Sequence, residues 1–166
     1  MSGLFNLTGK SAIVTGASSG LGRQFALALA REGADVAILA RRVEKLESVK
    51  AEIESLGVQC LAVKCDVLNN ENIKNAVAQV KNHFGKIDIL VNNAGIALFG
   101  PAEEQSDELW RAMVDMNLSS VYFVAREVGK VMIENNYGKI INTGSIHSTV
   151  AMPGLPLTAY CSTKGA

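Results

Sequence analysis

Several things are missing from this sequence, and each absence excludes a class of protein. No apolar run reaches the length needed to cross a bilayer, so no membrane partner is expected. The first residues do not pair a charged segment with a following apolar one, so no secretory signal is read there. Charge of one sign is not in excess: sixteen Lys and Arg balance sixteen Asp and Glu, with no basic stripe. Binding to nucleic acid by phosphate neutralisation is therefore not expected. Cysteine is scarce. Cys60, Cys65 and Cys161 are odd in number and match neither a zinc nor a redox spacing. They read as reduced thiols of a cytoplasmic protein and as small core residues, and no metal is expected. Linkers, repeats and low-complexity stretches are also lacking, so residues 1–166 read as one domain.

What is present is an alternation of strand and helix signals. At 48% hydrophobic and 19% charged residues, the composition is that of a globular chain long enough for a real core. Strands are expected near Ala12–Thr15, Val36–Ala40, Val58–Cys65, Ile87–Val91 and Lys139–Thr143. Between them, a helix from about Gly20 to Glu32 is followed by one burying Leu46, Val49, Ile53 and Leu56. A third carries Ile73, Val77, Val80 and Phe84. Gly33, Gly57 and Gly85 stop these helices. A long fourth helix is expected over Asp107–Asn135, capped by Ser106, and a last one begins near Thr158. Strands apolar on both faces, separated by amphipathic helices, predict an α/β fold: a doubly wound parallel sheet ordered 3-2-1-4-5. Ligands of such sheets bind beyond the carboxyl ends of the strands, where the order reverses.

The stretch Thr15-Gly16-Ala17-Ser18-Ser19-Gly20-Leu21-Gly22 lies at that point, between the first strand and its helix. A glycine-rich turn there leaves N–H groups at the positive end of a helix dipole and lets a pyrophosphate approach the backbone. After the second strand the chain reads Ala40-Arg41-Arg42, with no carboxylate for ribose hydroxyls. Arg41, supported by Arg42, suits a 2′-phosphate, so NADP(H) is preferred and NAD(H) is the alternative. Asp66, beside Val67, stands at the end of the third strand, where it either accepts from an adenine amino group or makes an Asx turn. Asn92-Asn93-Ala94-Gly95 ends the fourth strand and suits close passage past a ligand.

Tyr160 and Lys164 are four residues apart at a helix start, so they share a face. A free tyrosine ionises near pH ~10, and a nearby ammonium favours the phenolate. Tyr160 is the candidate general acid/base. Ser145, ending the fifth strand, either orients a substrate oxygen or caps a turn. Asn117 is a polar residue inside an apolar helix.

Together these residues resemble the short-chain dehydrogenase/reductase family. Thr15-Gly16-x-x-x-Gly20-x-Gly22 is similar to its cofactor loop, and Asn92–Gly95 to its strand-four signature. Asn117, Ser145, Tyr160 and Lys164 fall in the order of its catalytic residues. The resemblance implies a Rossmann fold and a hydride exchange between nicotinamide and the carbon of a secondary alcohol or ketone. It implies that Tyr160 exchanges the proton and Ser145 positions the oxygen. Lys164 favours the phenolate and holds the nicotinamide ribose, and Asn117 supports a water linking Lys164 to solvent. Gly16, Ser18, Ser19, Gly20, Leu21, Gly22, Arg41, Arg42, Asp66, Val67, Asn93, Ala94, Gly95, Tyr160 and Lys164 would bind the cofactor. The stretch Leu4–Lys10 is similar to gluconate 5-dehydrogenase-like or 3-oxoacyl-[acyl-carrier-protein] reductase-like branches. The substrate would be a small molecule, and the full-length form a homo-oligomer, a tetramer or dimer.

Two departures from the family pattern stand out. The interval from Ser145 to Tyr160 is slightly long and holds Met152–Pro156, expected to bulge beside the substrate. His147 in that loop is expected to be a solvated side chain, while His83, Trp110 and the Met113/Met116 stripe are expected to be structural or packing residues. The chain also ends at Ala166, whereas family members continue through two more strands and a substrate lid. A fragment is expected, with a catalytically inactive nucleotide-binding module as the alternative reading, and a structural protein reusing the fold as a third.

Overall fold

The fold follows from strands whose alternate residues are apolar on both sides. In the computed structural model, which describes residues 5–166, five parallel strands are ordered β3-β2-β1-β4-β5. They are β1 (Ser11–Thr15), β2 (Asp35–Ala40), β3 (Cys60–Lys64), β4 (Ile89–Asn92) and β5 (Lys139–Asn142). Helices α1 (Gly20–Arg31) and α2 (Val43–Glu54) cover one face with Ala12, Val14, Val36 and Ile38 beneath them. Helices α3 (Asn70–Phe84) and α5 (Ser120–Glu134) cover the other, over Ile13, Ala37, Leu39 and Leu90. Residues of one strand thus divide between two cores by the period-two rule. The expected strand order is the observed one. Leu4, first residue of the N-terminal stretch compared with the family's branches, lies outside the described residues.

Helix ends follow their local chemistry. Asn69 caps α3 by accepting from the N–H groups of Glu71 and Asn72 at 3.0 Å each, and Gly85 closes it in the left-handed region. Ser106 caps α4 (Asp107–Val114) through a 3.2 Å bond from Leu109 N–H.

Three expectations need correction. The fourth helix is not uniform: α4 and α5 are joined by a π-helical turn, Asp115–Ser119. Leu56 does not continue the buried stripe of α2; it lies beyond the helix end and is 41% exposed. Trp110, expected to pack, is 44% exposed. The strands are also not all buried. All four residues of β5 are exposed: among the described residues it pairs with β4 alone, and none of its side chains joins either core, whereas β3 at the opposite edge is largely buried. A last helix, α6 (Thr158–Gly165), follows the loop after β5.

Candidate functional site

At the carboxyl ends of β1 to β4 the loops enclose a cavity of about 510 Å³. Gly16, Ser18, Ser19 and Leu21 line one wall, and Arg41, Arg42, Asp66 and Val67 another. Asn93, Ala94 and Gly95 line a third, and Leu39, Ala40, Cys65, Ile96 and Met116 complete it. None of those last five is expected from the sequence at a cofactor site, and Met116 is expected only to pack. Leu39, Ala40 and Cys65 lie at strand ends, Ile96 in the loop after β4 and Met116 in the π turn, and isolated apolar residues carry no motif of their own.

The glycine loop is fitted to its surroundings as well as to a ligand. A Cβ on Gly22 would collide with the carbonyl oxygen of Gly16 and lie 2.6 Å from Asn93 Nδ2. That tightness lets α1 begin directly against β1. No acidic residue stands in the first turn of α1, and Ser19, its N-cap residue, makes no side-chain cap bond. The positive end of the helix is therefore available to an anion. Across the cavity, Arg42 Nη2 donates to Ser18 Oγ (3.3 Å) and Ser19 Oγ (3.4 Å), tying the β2–α2 turn to the loop.

Thr15 organises the opposite wall. Its Oγ1 accepts from the N–H groups of Asn93 (3.0 Å) and Ala94 (3.1 Å), while Asn93 Nδ2 donates to the Thr15 carbonyl (3.1 Å). Its neighbour Asn92 turns to the other side. Its Nδ2 donates to Asn142 Oδ1 (3.1 Å) and the Val121 carbonyl (3.3 Å), joining β4 to β5 and α5. Asp66 Oδ1 accepts from Leu68 N–H (3.1 Å), which is the Asx turn left open above. An Asx turn and a wall position are compatible, since a carboxylate has further acceptor sites.

Asn117 sits in the π turn and is buried. Its Oδ1 accepts from Ile96 N–H (2.9 Å). Its Nδ2 donates to the Ile96 carbonyl (2.9 Å) and to Thr163 Oγ1 (3.1 Å). It thus clamps the loop after β4 to α6. Lys164, the residue after Thr163, donates from Nζ to the Thr143 carbonyl (2.7 Å), and burial pulls its ammonium below the ordinary lysine range. Gly95 separates the two: a Cβ there would lie 3.1 Å from Asn117 Oδ1 and 3.7 Å from Lys164 Nζ. A side chain at position 95 would fill the space that adjoins the cofactor-sized cavity.

Ser145 and Tyr160 each meet His147. Ser145 Oγ accepts from His147 N–H (3.2 Å), the turn cap left open above. The His147 ring meets the Tyr160 ring edge-on at 6.2 Å between centroids. His147, expected as a solvated loop side chain, is half-buried, with its ring turned onto Tyr160. Tyr160, Lys164, Ser145, Gly20 and Gly22 do not line the cavity itself. Burial pushes the Cys60 and Cys65 thiols up to about 12 and about 11, which makes them inert core residues. Among the described residues no cluster of metal-ligating groups occurs, and no helix is long and apolar enough to cross a membrane.

Against known proteins, the family model described as short chain dehydrogenase matches residues 10–166. The chain is 40% identical over 163 residues to a gluconate 5-dehydrogenase of Gluconobacter oxydans (strain 621H), covering 98% of this chain and 63% of that protein. It is 38% identical over 156 residues to a 3-oxoacyl-[acyl-carrier-protein] reductase of Staphylococcus epidermidis, covering 93% and 63%. The chain thus spans 63% of the length of these curated relatives. The structure of an NAD+-bound xylitol dehydrogenase superposes with a TM-score of 0.91 at 35% identity, over 96% of this chain and 61% of that one. A metagenomic short-chain oxidoreductase in complex with NADP gives 0.89 at 35% identity, over 96% and 72%. Relatives of this chain thus bind either nicotinamide dinucleotide. With the glycine loop, the 3-2-1-4-5 sheet and a family match over nearly its whole length, this chain belongs to the short chain dehydrogenase family.

Proposed function

We propose that these residues form one NAD(P)-binding domain of an oxidoreductase that interconverts a secondary alcohol and a ketone, with NADP(H) preferred. The observation that carries the reading is the shared clamp at the cavity's end. Asn117, through Ile96 and Thr163, draws α6 with Tyr160 and Lys164 against the loop that carries Gly95.

The residues fit a dinucleotide. The uncapped start of α1 and the close-packed Gly16 and Gly22 suit a pyrophosphate. Arg41 and Arg42, with no acid following β2, suit a 2′-phosphate. The bound nicotinamide would supply the hydride acceptor or donor. The remaining work belongs to the protein. Tyr160 takes the hydroxyl proton from an alcohol, or returns one to a ketone oxygen. Ser145 orients that oxygen, and the Lys164 ammonium stabilises a phenolate on Tyr160. Burial pulls the Lys164 ammonium below the ordinary lysine range, and the Thr143 carbonyl holds it in place.

The substrate class follows the relatives: a polyol, a sugar acid or a 3-oxoacyl thioester. The test is a screen with NADPH and NADP+ against such compounds, with Tyr160→Phe beside the wild type. Turnover reduced by on the order of a hundredfold or more in the variant, with cofactor affinity kept, is the expected result. Tight cofactor binding with no turnover in either protein would select a nucleotide-binding module instead.

A further inference from the structure

The loop after β5 makes a short 3-10 turn, Ile146–Ser148, with His147 at its centre. Three contacts fix this residue. Its backbone N–H donates to Ser145 Oγ at 3.2 Å. Its ring stands edge-on to Tyr160, with centroids 6.2 Å apart and planes at 72°. Its Nδ1 lies 3.2 Å from the Val150 carbonyl oxygen. A carbonyl only accepts, so Nδ1 carries the hydrogen in this contact. The turn itself is seated on α6: a Cβ on Gly165 would lie 3.2 Å from the Ser148 carbonyl oxygen. Ser148 Oγ also donates back to the Ser145 carbonyl at 2.6 Å.

We propose that His147 is a positioning residue that fixes the Ser145 hydroxyl and the Tyr160 phenol relative to one another. The inference rests on reading those two as the groups that meet the substrate oxygen. The His147 amide occupies a lone pair of Ser145 Oγ, so the hydroxyl proton is left to donate to a substrate oxygen. The Val150 carbonyl stops the imidazole from turning, and the held imidazole limits the swing of the Tyr160 ring. Both hydroxyls are then oriented before substrate arrives, and the ordering is settled on folding rather than in each turnover. A substrate oxygen bridging two hydroxyls is sensitive to their separation: a 1 Å misplacement can lower a rate by about a hundredfold.

Three variants separate the two ring contacts, and all of them keep the backbone bond to Ser145 Oγ. His147→Ala removes ring and tether, His147→Gln keeps a donor for Val150 without the ring, and His147→Phe keeps an aromatic edge on Tyr160. The alanine and glutamine variants should lose about tenfold in kcat, with the cofactor dissociation constant unchanged, and phenylalanine should recover to within about threefold. Glutamine and phenylalanine retain bulk, so the comparison stands if alanine collapses the loop. Wild-type kcat in both the alanine and glutamine variants would overturn the proposal. So would equal losses in kcat and cofactor affinity, the mark of a role in folding alone. A second readout needs no turnover: in protein carrying 13C-labelled tyrosine, the Tyr160 ring signal should move in His147→Gln while those of Tyr122 and Tyr137 stay. If wild type turns over no alcohol or ketone, the proposed function fails, and this signal decides the proposal. A shifted Tyr160 signal supports it, and an unmoved one overturns it.

Discussion

β1 and β5 belong to one parallel sheet, yet every residue of β1 is buried and every residue of β5 is exposed. Ile13 has no exposed surface, whereas Ile141 is 52% exposed. β1 has a strand on each side and helices on both faces; β5 has β4 alone. The contrast separates two ways of building a site. The glycine loop springs from a strand held by apolar burial, so its shape is set by packing. Around Tyr160 and Lys164 directed polar bonds join the buried Leu157 and Ala159: Asn117 to Ile96 and Thr163, Lys164 to Thr143, and Asn92 to Asn142 at the neighbouring strand ends. Packing is non-directional and robust, whereas each hydrogen bond contributes little net but leaves an expensive orphan when one partner is removed.

The sharpest way to break the comparison is to truncate the same residue type at both places. Ile13→Ala should destabilise by about 3–5 kcal/mol, through lost burial and the cavity left behind. Chemical denaturation measures it. Asn117→Ala should come next, at about 2–3 kcal/mol, because it orphans the Ile96 N–H and carbonyl, while the Thr163 hydroxyl keeps only its bond to the Tyr160 carbonyl. Unlike Ile13→Ala, it should also free α6, seen as faster amide exchange there than in α1.

A smaller effect lies at the other end of β4, at Asp88. Its carboxylate accepts from Ser11 N–H (2.9 Å) and pairs with Lys86 (3.0 Å) and Lys10 (3.6 Å). Burial alone would raise its pKa, but the Ser11 bond and the two ammonium groups outweigh it and hold the carboxyl below the usual range. Folding therefore favours the ionised form. The stabilisation is present above the ordinary aspartate range and is lost as pH falls through the lowered folded-state value. Asp88→Asn should cost about 1 kcal/mol at neutral pH, since both lysines are partly solvated. It should also flatten the acid limb of a stability-against-pH curve. Ile141→Ala closes the series, with a change under about 1 kcal/mol. A loss equal to that of Ile13→Ala would erase the distinction between the two strands.

The buried half of this molecule was the more legible. Alternating apolar strands, helices ended by Gly33, Gly57 and Gly85, and the Thr15–Gly22 turn predict the sheet order, because each rests on a local pattern. The π turn at Asp115–Ser119 has no such pattern. Its reason is distant in sequence: Asn117 reaches Ile96 and Thr163 from within it. Leu56 misleads because the spacing that identifies a buried face continues past Glu54, where the helix ends. On the chemical side, residue types and order point to Asn117, Ser145, Tyr160 and Lys164, but not to what holds them. His147 looks like an ordinary loop histidine until the turn folds its ring onto Tyr160. The Arg42 contacts with Ser18 and Ser19 likewise join two loops that no spacing relates.

The proposed preference for NADP(H) rests on Arg41 and Arg42 and on the lack of an acid directly following β2. Calorimetric titration of NADPH and NADH into the wild type and Arg41→Ala tests that most directly. Removing a charge-assisted contact to a 2′-phosphate should weaken NADPH by roughly tenfold or more and leave NADH nearly unchanged. Equal losses for both cofactors, or no binding of either by the wild type, would contradict it.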